Sequence, residues 1–586
     1  MSKMSFFTLF LLIACSHNQV KTTVEQEIED SLSLIKEKKI SYGVTNKRSK
    51  IYLDVTESYG LSDLWASNFN IIDMNNDGFP DIVLIPEYYS QPIFYYFDPK
   101  IKKFVKGESP LSKKVKATFL IFNDMNKDNI LDVIVGVLNQ DSELEEDPVR
   151  LYYGSIVNNK VKYNTKAVAI TKKATPSSGV SLIDYDLDGD LDIFISNWFG
   201  RYKNQPLAIK DIFIENKDGE FIESTDKLIG ELDKNSAKKM FVNASPTVGA
   251  QICDMDQNGY PDILTASSNG YPNALWLNLF KFRKDYRYFK NYGVLSRYSG
   301  DTDGRLTQTG GGRTFSVACA DYNNDGLMDV FLGELTHSYD PESVDKSSVL
   351  TGSKKSFPPL FLRTEYVLDA NDINWTQADK RAVWLDYDND GLQDLLVDNS
   401  GYPPHTRLLL FKQYPDHSFE NIGKRAGIDF VNPQSSVTLD FNNDGKLDIL
   451  TARNSIRDAS IKRRLYLFKN VSKNENRSLK IKLIGDKSNI DALGATIMAK
   501  VRKADGQFEV RSQNVSYSYG QTPAQNEKFI YFGFQKNEEL IYIKVRWPYA
   551  KNLNSPAASL EKSYDIKLPA KGSKTIRICE NKKSCY

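Results

Sequence analysis

DYDNDGLQDLLVD, residues 386–398, places four aspartates at positions 1, 3, 5 and 9 of a nine-residue stretch, with a glycine at position 6 and an apolar run after it. Aspartate and asparagine side chains offer hard oxygen ligands, and glycine permits the sharp backbone turn that lets one short loop wrap a cation. The same pattern starts at residues 73, 124, 184, 254, 321, 386 and 440, so it recurs seven times, 51 to 70 residues apart. One match carries little weight, but seven in order define an internal repeat.

The candidate ligands are Asp73, Asn75, Asp77 and Asp81 in the first loop, and Asp124, Asn126, Asp128 and Asp132 in the second. The third loop offers Asp184, Asp186, Asp188 and Asp192, and the fourth Asp254, Asp256, Asn258 and Asp262. The last three offer Asp321, Asn323, Asp325 and Asp329, then Asp386, Asp388, Asp390 and Asp394, then Asp440, Asn442, Asp444 and Asp448. Each set, with a backbone carbonyl at position 7, is an all-oxygen shell that suits Ca²⁺ rather than Zn²⁺ or Mg²⁺. The second loop has Asn129 where the others have glycine; asparagine tolerates left-handed backbone, so this loop keeps the pattern as its weakest example. Position 12 is never glutamate, which excludes an EF-hand. Each loop is followed by a short β-branched, apolar segment such as DIVLI at 81–85 or DVIVG at 132–136, which predicts a strand–loop–strand hairpin rather than a helix. Up to seven calcium ions are expected, mainly structural.

A repeat of this length holds four strands, and seven such sheets arranged radially make a seven-bladed β-propeller, so the predicted class is all-β. IYLDVTESYGL at 51–61 is similar to SFENIGKRAGI at 418–428, a phrase that belongs to the end of a repeat. The first strand is therefore expected to complete the last blade. These loops resemble the FG-GAP/VCBS repeats of integrin α-type propellers, over residues 49–470. From residue 479 the pattern changes to alternating strands without aspartate loops. Gly485, Asn489, Ala492, Gly494 and Ala495, then Phe532-Gly533, then Trp547-Pro548, resemble the ASPIC/UnbV domain that follows such repeats in cartilage acidic protein and many bacterial proteins. Read alone, 471–566 is a small antiparallel β-sandwich-like domain with Trp547 in its core, and 567–586 a basic tail.

The ends carry further expectations. Met1 to Ala14 reads as a signal peptide, and Leu12-Ile13-Ala14-Cys15 resembles a bacterial lipobox, with Cys15 receiving the lipid. Residues 15–48 read as a tether, and Ser16 after the cysteine points to the outer membrane of a Gram-negative bacterium. Cys579 and Cys585 are expected to form a local disulfide, while Cys253 and Cys319, just before loops, read as buried thiols.

The formal charge of +1 hides an asymmetry, because the seven ligand sets contain 23 carboxylates. Seven bound Ca²⁺ would raise the chain to +15, which attracts anionic partners. No arginine-aromatic nucleic-acid module, nucleophile elbow, phosphate loop or HExxH helix is present, so no catalytic residue and no nucleic-acid partner are expected. The insertions that differ between repeats hold Trp198, Tyr202, Tyr271 and Tyr402, the candidate ligand-binding residues. The function expected is a calcium-binding, lipid-anchored, monomeric envelope module for glycans or proteins. The alternatives are a polysaccharide lyase or hydrolase using the propeller axis, and an envelope assembly scaffold.

Overall fold

The structure, a computed structural model, describes residues 50–581 apart from 113, 139–147, 159, 203–204, 231–243, 282–285, 301–311, 338–344, 355, 367–375, 520–521 and 551–560. The expected signal peptide and tether, Cys15 and Cys585 lie outside the described residues.

The repeats fold as the hydrophobic pattern requires. In the first, Asn68–Ile72 and Asp81–Ile85 are buried along their whole length and pair antiparallel from Asn68↔Ile85 to Ile72↔Asp81. The aspartate loop 73–80 is thus the hairpin turn. Strands Ile93–Asp98 and Lys103–Lys106 complete a four-stranded sheet. Five further four-stranded sheets follow the same order, within 119–169, 177–223, 247–291, 314–365 and 376–421, and 433–470 supplies three strands of a seventh. Two additions decorate this plan: Leu228–Ile229 adds a parallel strand to the fourth sheet, and Leu335–His337 of the fifth pairs with Thr376–Ala378 of the sixth.

The seventh sheet takes its outer strand from the start of the chain. Tyr52–Asp54 pairs with Arg464–Asn470, Tyr52 opposite Asn470, and the Tyr52 hydroxyl donates to the Leu447 carbonyl at 3.1 Å. The repeated phrase at 51–61 and 418–428 predicts this pairing. Successive sheets touch through their first strands, except that the first strand of the third meets the second strand of the second, and the first strand of the seventh touches that of the first. The fold is all-β and propeller-like. The apolar residues of facing sheets make its cores, with Phe69, Ile71, Leu84 and Leu467 in one and Phe194, Phe213 and Phe289 in another.

Cys253 and Cys319 are bonded to each other, with Cα atoms 6.8 Å apart. This corrects the expectation of buried thiols. The two cysteines lie at or next to the last residue of the first strands of the fourth and fifth sheets, which lie side by side; 66 residues of separation conceal that proximity in the sequence.

The C-terminal residues form two sheets around one core. One orders Ile530–Phe534, Arg477–Ile484 and Gly572–Cys579; the other orders Phe508–Asn514, Thr496–Arg502, Glu539–Arg546 and Glu561–Tyr564. Trp547 is 1% exposed among Leu479, Ile481, Ile497, Val545 and Ile578, as expected. Two expectations are corrected. The arrangement is not wholly antiparallel, because Arg477–Ile484 and Gly572–Cys579 run parallel in register over eight residues. Residues 572–579 are also a strand rather than tail. It is an edge strand with only Ile578 and Cys579 buried, so Lys574 and Arg577 lie on its exposed side and the stretch reads as basic and irregular. Cys579 is disulfide-bonded.

This domain also reaches into the ring of sheets. Gln525, beside the short pair Ser518–Tyr519 and Ala524–Gln525, exchanges two hydrogen bonds with the Phe122 backbone, at 2.7 and 3.0 Å. Asn68 donates to the Thr522 carbonyl at 2.6 Å, Thr522 N–H donates to Ser178, and Gln251 donates to the Ser516 hydroxyl. Arg381 donates to the Ala524 carbonyl, and Thr438 N–H to the Asn526 side chain. First strands of the first, second, third, fourth, sixth and seventh sheets thus bond residues within 516–519 and 522–526, and that of the fifth touches them. The axis is filled by the chain's own C-terminal domain.

Candidate metal centres

All seven hairpin loops share one backbone. Position 4 has positive φ in each, at Asn76, Lys127, Leu187, Gln257, Asn324, Asn389 and Asn443, and so does position 6, including Asn129 at 65°. The first aspartate holds this shape. Its Oδ2 accepts the N–H of position 6 in every loop, from Gly78 at 2.9 Å and Asn129 at 2.7 Å to Gly445 at 2.9 Å. The last aspartate ties the loop to the sheet. Asp81 accepts from Met74 N–H and from Phe97 N–H on the third strand, and Asp132, Asp192, Asp262, Asp329 and Asp394 repeat both bonds. Asp448 accepts the third-strand bond from Asn470. Position 9 therefore needs a carboxylate for the fold as well as for any ion.

The residues present fit a cation. Asp184, Asp254 and Asp321, each 5% exposed or less, have an Oδ1 atom buried without a hydrogen-bond partner, and so does Asp388. An orphaned buried carboxylate oxygen is costly unless a cation faces it. Asp184, Asp186 and Asp188 bring three carboxylate oxygens within 4.8 Å of one another, as do Asp254, Asp256 and Asp262, and Asp386, Asp388 and Asp394. These are the three loops with aspartate at position 3. In the other four the position-3 asparagine, as Asn75, Asn126, Asn323 or Asn442, donates to the position-5 aspartate at 2.9–3.0 Å.

Burial is the leading cause that raises these carboxyls: Asp81, Asp132, Asp186 and Asp321 to about 7, and Asp256 and Asp440 to about 6. In the native state without metal, such groups favour the proton, so their contribution to stability is full at low pH and is lost as pH rises through 6–7. Calcium needs the ionised form, so its stabilisation grows over the same window. The melting temperature in calcium minus that in chelator is expected to widen from pH 5 to pH 8. A difference that stays constant across that range contradicts this.

Several loop carboxylates also meet cations that the motif does not contain. Lys412 Nζ on the third strand of the sixth sheet lies 2.9 Å from both Asp388 and Asp390 and 3.9 Å from Asp394. Burial alone would lower this ammonium, but the three carboxylates outweigh it and raise it. Arg546 of the C-terminal domain pairs with Asp254, and Ser512 donates to Asp321 at 2.6 Å. Lys480 lies 3.5 Å from Asp440 and 2.6 Å from Glu527, with both partners almost fully buried. A Cβ on Gly533 would lie 2.0 Å from Asp386, and one on Gly189 would lie 2.2 Å from the Lys487 carbonyl, so the domain sits directly on the sixth and third loops. The first and second loops instead line a cleft of about 460 Å³ with Lys482 and Arg577. Sequence reasoning missed Lys412, Lys480 and Arg546, because no linear spacing connects them to a loop.

The expected binding residues lie at the far ends of the sheets, after the strand that leaves each loop. Trp198 and Phe199 are 5.4 Å apart between ring centroids, and Phe199 is 6.4 Å from Tyr271, so the third and fourth sheets bring Trp198 and Tyr271 into one aromatic row. Tyr402 is not part of it; its ring carries the Arg457 guanidinium at 3.8 Å. The Tyr202 side chain lies outside the described residues.

Each four-stranded sheet has its first two strands joined by an aspartate hairpin of one conformation. The FG-GAP-like repeat family matches at residues 254–332 and 386–451. The chain is 22% identical over 293 residues to Cartilage acidic protein 1 of Xenopus tropicalis, covering 46% of this chain and 39% of that protein. The match thus spans well under half the length of that relative. Among solved structures, a BBS1 fragment in complex with ARL6 is similar at 9% identity and a TM-score of 0.38, covering 72% of this chain and 98% of that one. The V. cholerae biofilm matrix protein Bap1 is similar at 10% identity and a TM-score of 0.32, covering 74% of this chain and 90% of that one.

Proposed function

We propose that the chain is a calcium-stabilised seven-bladed propeller that acts as a lipid-anchored binding module of the bacterial envelope, with glycans or proteins as partners at the face opposite the calcium loops. The observation that carries this reading is the placement of the C-terminal domain. It covers several of the loops and fills the axis with residues 516–519 and 522–526. Many loop carboxylates are engaged by backbone or C-terminal side chains and would be engaged further by a bound cation, and an axial substrate site is displaced by the chain's own residues. This favours a binding module over an axial lyase or hydrolase. The insertions that differ between sheets offer accessible aromatic side chains such as Tyr271, which suit contact with a partner.

Lipid attachment at Cys15 and an outer-membrane location belong to the same reading and rest on the sequence. Metabolic labelling with a fatty-acid analogue should mark the wild-type chain and fail for Cys15→Ser. For the binding face, Trp198→Ala and Tyr271→Ala should weaken capture of envelope glycans or proteins about tenfold, at ~1.4 kcal/mol, while moving the calcium-dependent melting temperature little. Retention of full binding by both variants, with loss on substitution within 477–579 instead, moves the site to the C-terminal domain and contradicts the proposal.

A further inference from the structure

The first strand of the sixth sheet, Thr376–Leu385, is kinked between Asp379 and Ala382, and the residues at the kink are Lys380 and Arg381. A bulge of this kind re-aims side chains. The equivalent kinks in the third, fourth and fifth sheets hold Ser178, Val248 and Phe315. The sixth places two cations there, at the end of the strand away from its aspartate loop.

Arg381 turns to the axis, where its Nε donates to the Ser436 carbonyl at 2.6 Å. Lys380 turns to the insertion 400–407. A Cβ on Gly401 would lie 3.0 Å from its Nζ, and Gly401 has φ +110°, so a residue without a side chain lets the amine sit against the loop. Among the described residues Lys380 has no ion pair and no hydrogen bond to its amine. The carboxylate that acts on it, Asp398, already accepts the Ser436 N–H at 2.8 Å and the Ser436 hydroxyl. Arg457 is the other neighbour, an exposed guanidinium that rests on the Tyr402 ring and likewise has no carboxylate partner among the described residues. Burial first, and then Arg457, lower the Lys380 amine to about 8. Gly401 and Tyr402, adjacent in sequence, thus bring an amine and a guanidinium to one loop; like charges there repel, and an anion between them relieves that repulsion.

We propose that Lys380 and Arg457, with Tyr402 orienting the guanidinium, form a binding site for the carboxylate or sulfate group of an acidic glycan. The glycan part rests on the binding reading above; the anion site stands on the charges alone. The positive charge that bound calcium leaves on the chain would draw such a ligand towards the surface.

The test uses the full chain in calcium and at low salt. Calorimetric titration with tetragalacturonate and with a heparin-derived tetrasaccharide is compared with neutral chitotetraose. An acidic probe should bind and chitotetraose should not, and affinity should fall as NaCl rises. Lys380→Met and Arg457→Ala should each weaken binding about tenfold, and Arg457→Lys should recover part of the loss. A second readout needs no glycan: sodium sulfate should slow acetylation of Lys380 by an amine-reactive ester, read by mass spectrometry, without slowing other lysines. Protection by sulfate with no binding of either acidic oligosaccharide keeps the anion site and sinks its glycan assignment. Equal binding by a folded Lys380→Met/Arg457→Ala variant, equal binding of chitotetraose, or absence of both binding and protection overturns the proposal.

Discussion

Removal of calcium is expected to lower the melting temperature by about 8 °C. Three loops bring three carboxylate oxygens within 4.8 Å. Each site contributes ~2.7 kcal/mol when free calcium is a hundredfold above its dissociation constant, so three give about 8 kcal/mol. For a unit of roughly 500 residues the unfolding entropy is about 1 kcal/mol per degree, which converts that energy to about 8 °C. The effect should map to loop carboxylates. Asp386→Ala removes both a cluster member and the acceptor for Gly391 N–H, so it should destabilise more than loss of the exposed Asp63. Calcium should then recover less of the melting temperature in Asp386→Ala than in wild type. Identical curves in calcium and in chelator would remove the metal from the account.

Lys480→Met is expected to destabilise the chain by about 3–5 kcal/mol, because it leaves buried carboxylates without their cation. Lys480 is 1% exposed and meets Glu527 at 2.6 Å, Asp440 at 3.5 Å and the Asn443 side chain at 2.8 Å. Glu527 accepts in turn from Asp440 N–H at 2.8 Å and from the Tyr531 hydroxyl at 2.6 Å, so this one ammonium latches the C-terminal domain to the seventh loop. Lys536→Met is the control. Its pair with Glu475 is 61% and 72% exposed, and removal should change stability by no more than about 1 kcal/mol. Adding Glu527→Gln to Lys480→Met should restore part of the loss, since it removes one of the stranded charges. If Lys480→Met melts as Lys536→Met does, the latch carries no weight.

What the sequence shows and what it hides follow from the range of the interactions. The seven hairpins are local: an aspartate at position 1 bonds position 6 in all of them, and one at position 9 bonds position 2 in six, so nine residues carry both the pattern and its cause. Asn129 could be read correctly for the same reason, since its left-handed backbone depends on the turn alone. Position 4 is left-handed in every loop as well. It went unread because Lys127, Leu187 and Gln257 occupy it in three of them, held there by the bonds on either side rather than by their own preference. The closing strand was legible because its phrase recurs at the end of a repeat. The axial hairpin was not. Gln525 bonds Phe122 across 403 residues, and nothing near Gln525 in the sequence reports that distance. The bond between Cys253 and Cys319, the parallel edge strand 572–579 and the cations Lys412, Lys480 and Arg546 share that property. Each is a contact between elements rather than a pattern within one. Trp198 and Tyr271 were named singly for their residue type, and the row they form through Phe199 came only with the packing of neighbouring sheets.

The most direct measurement is the mass of the intact chain. Protein dialysed against micromolar free calcium and measured by native mass spectrometry should carry at least three calcium ions, all lost after exchange into chelator with a fall in melting temperature. A spectrum that shows only the mass of the chain without metal, from protein whose melting curve is the same in calcium and in chelator, would contradict the calcium-stapled propeller.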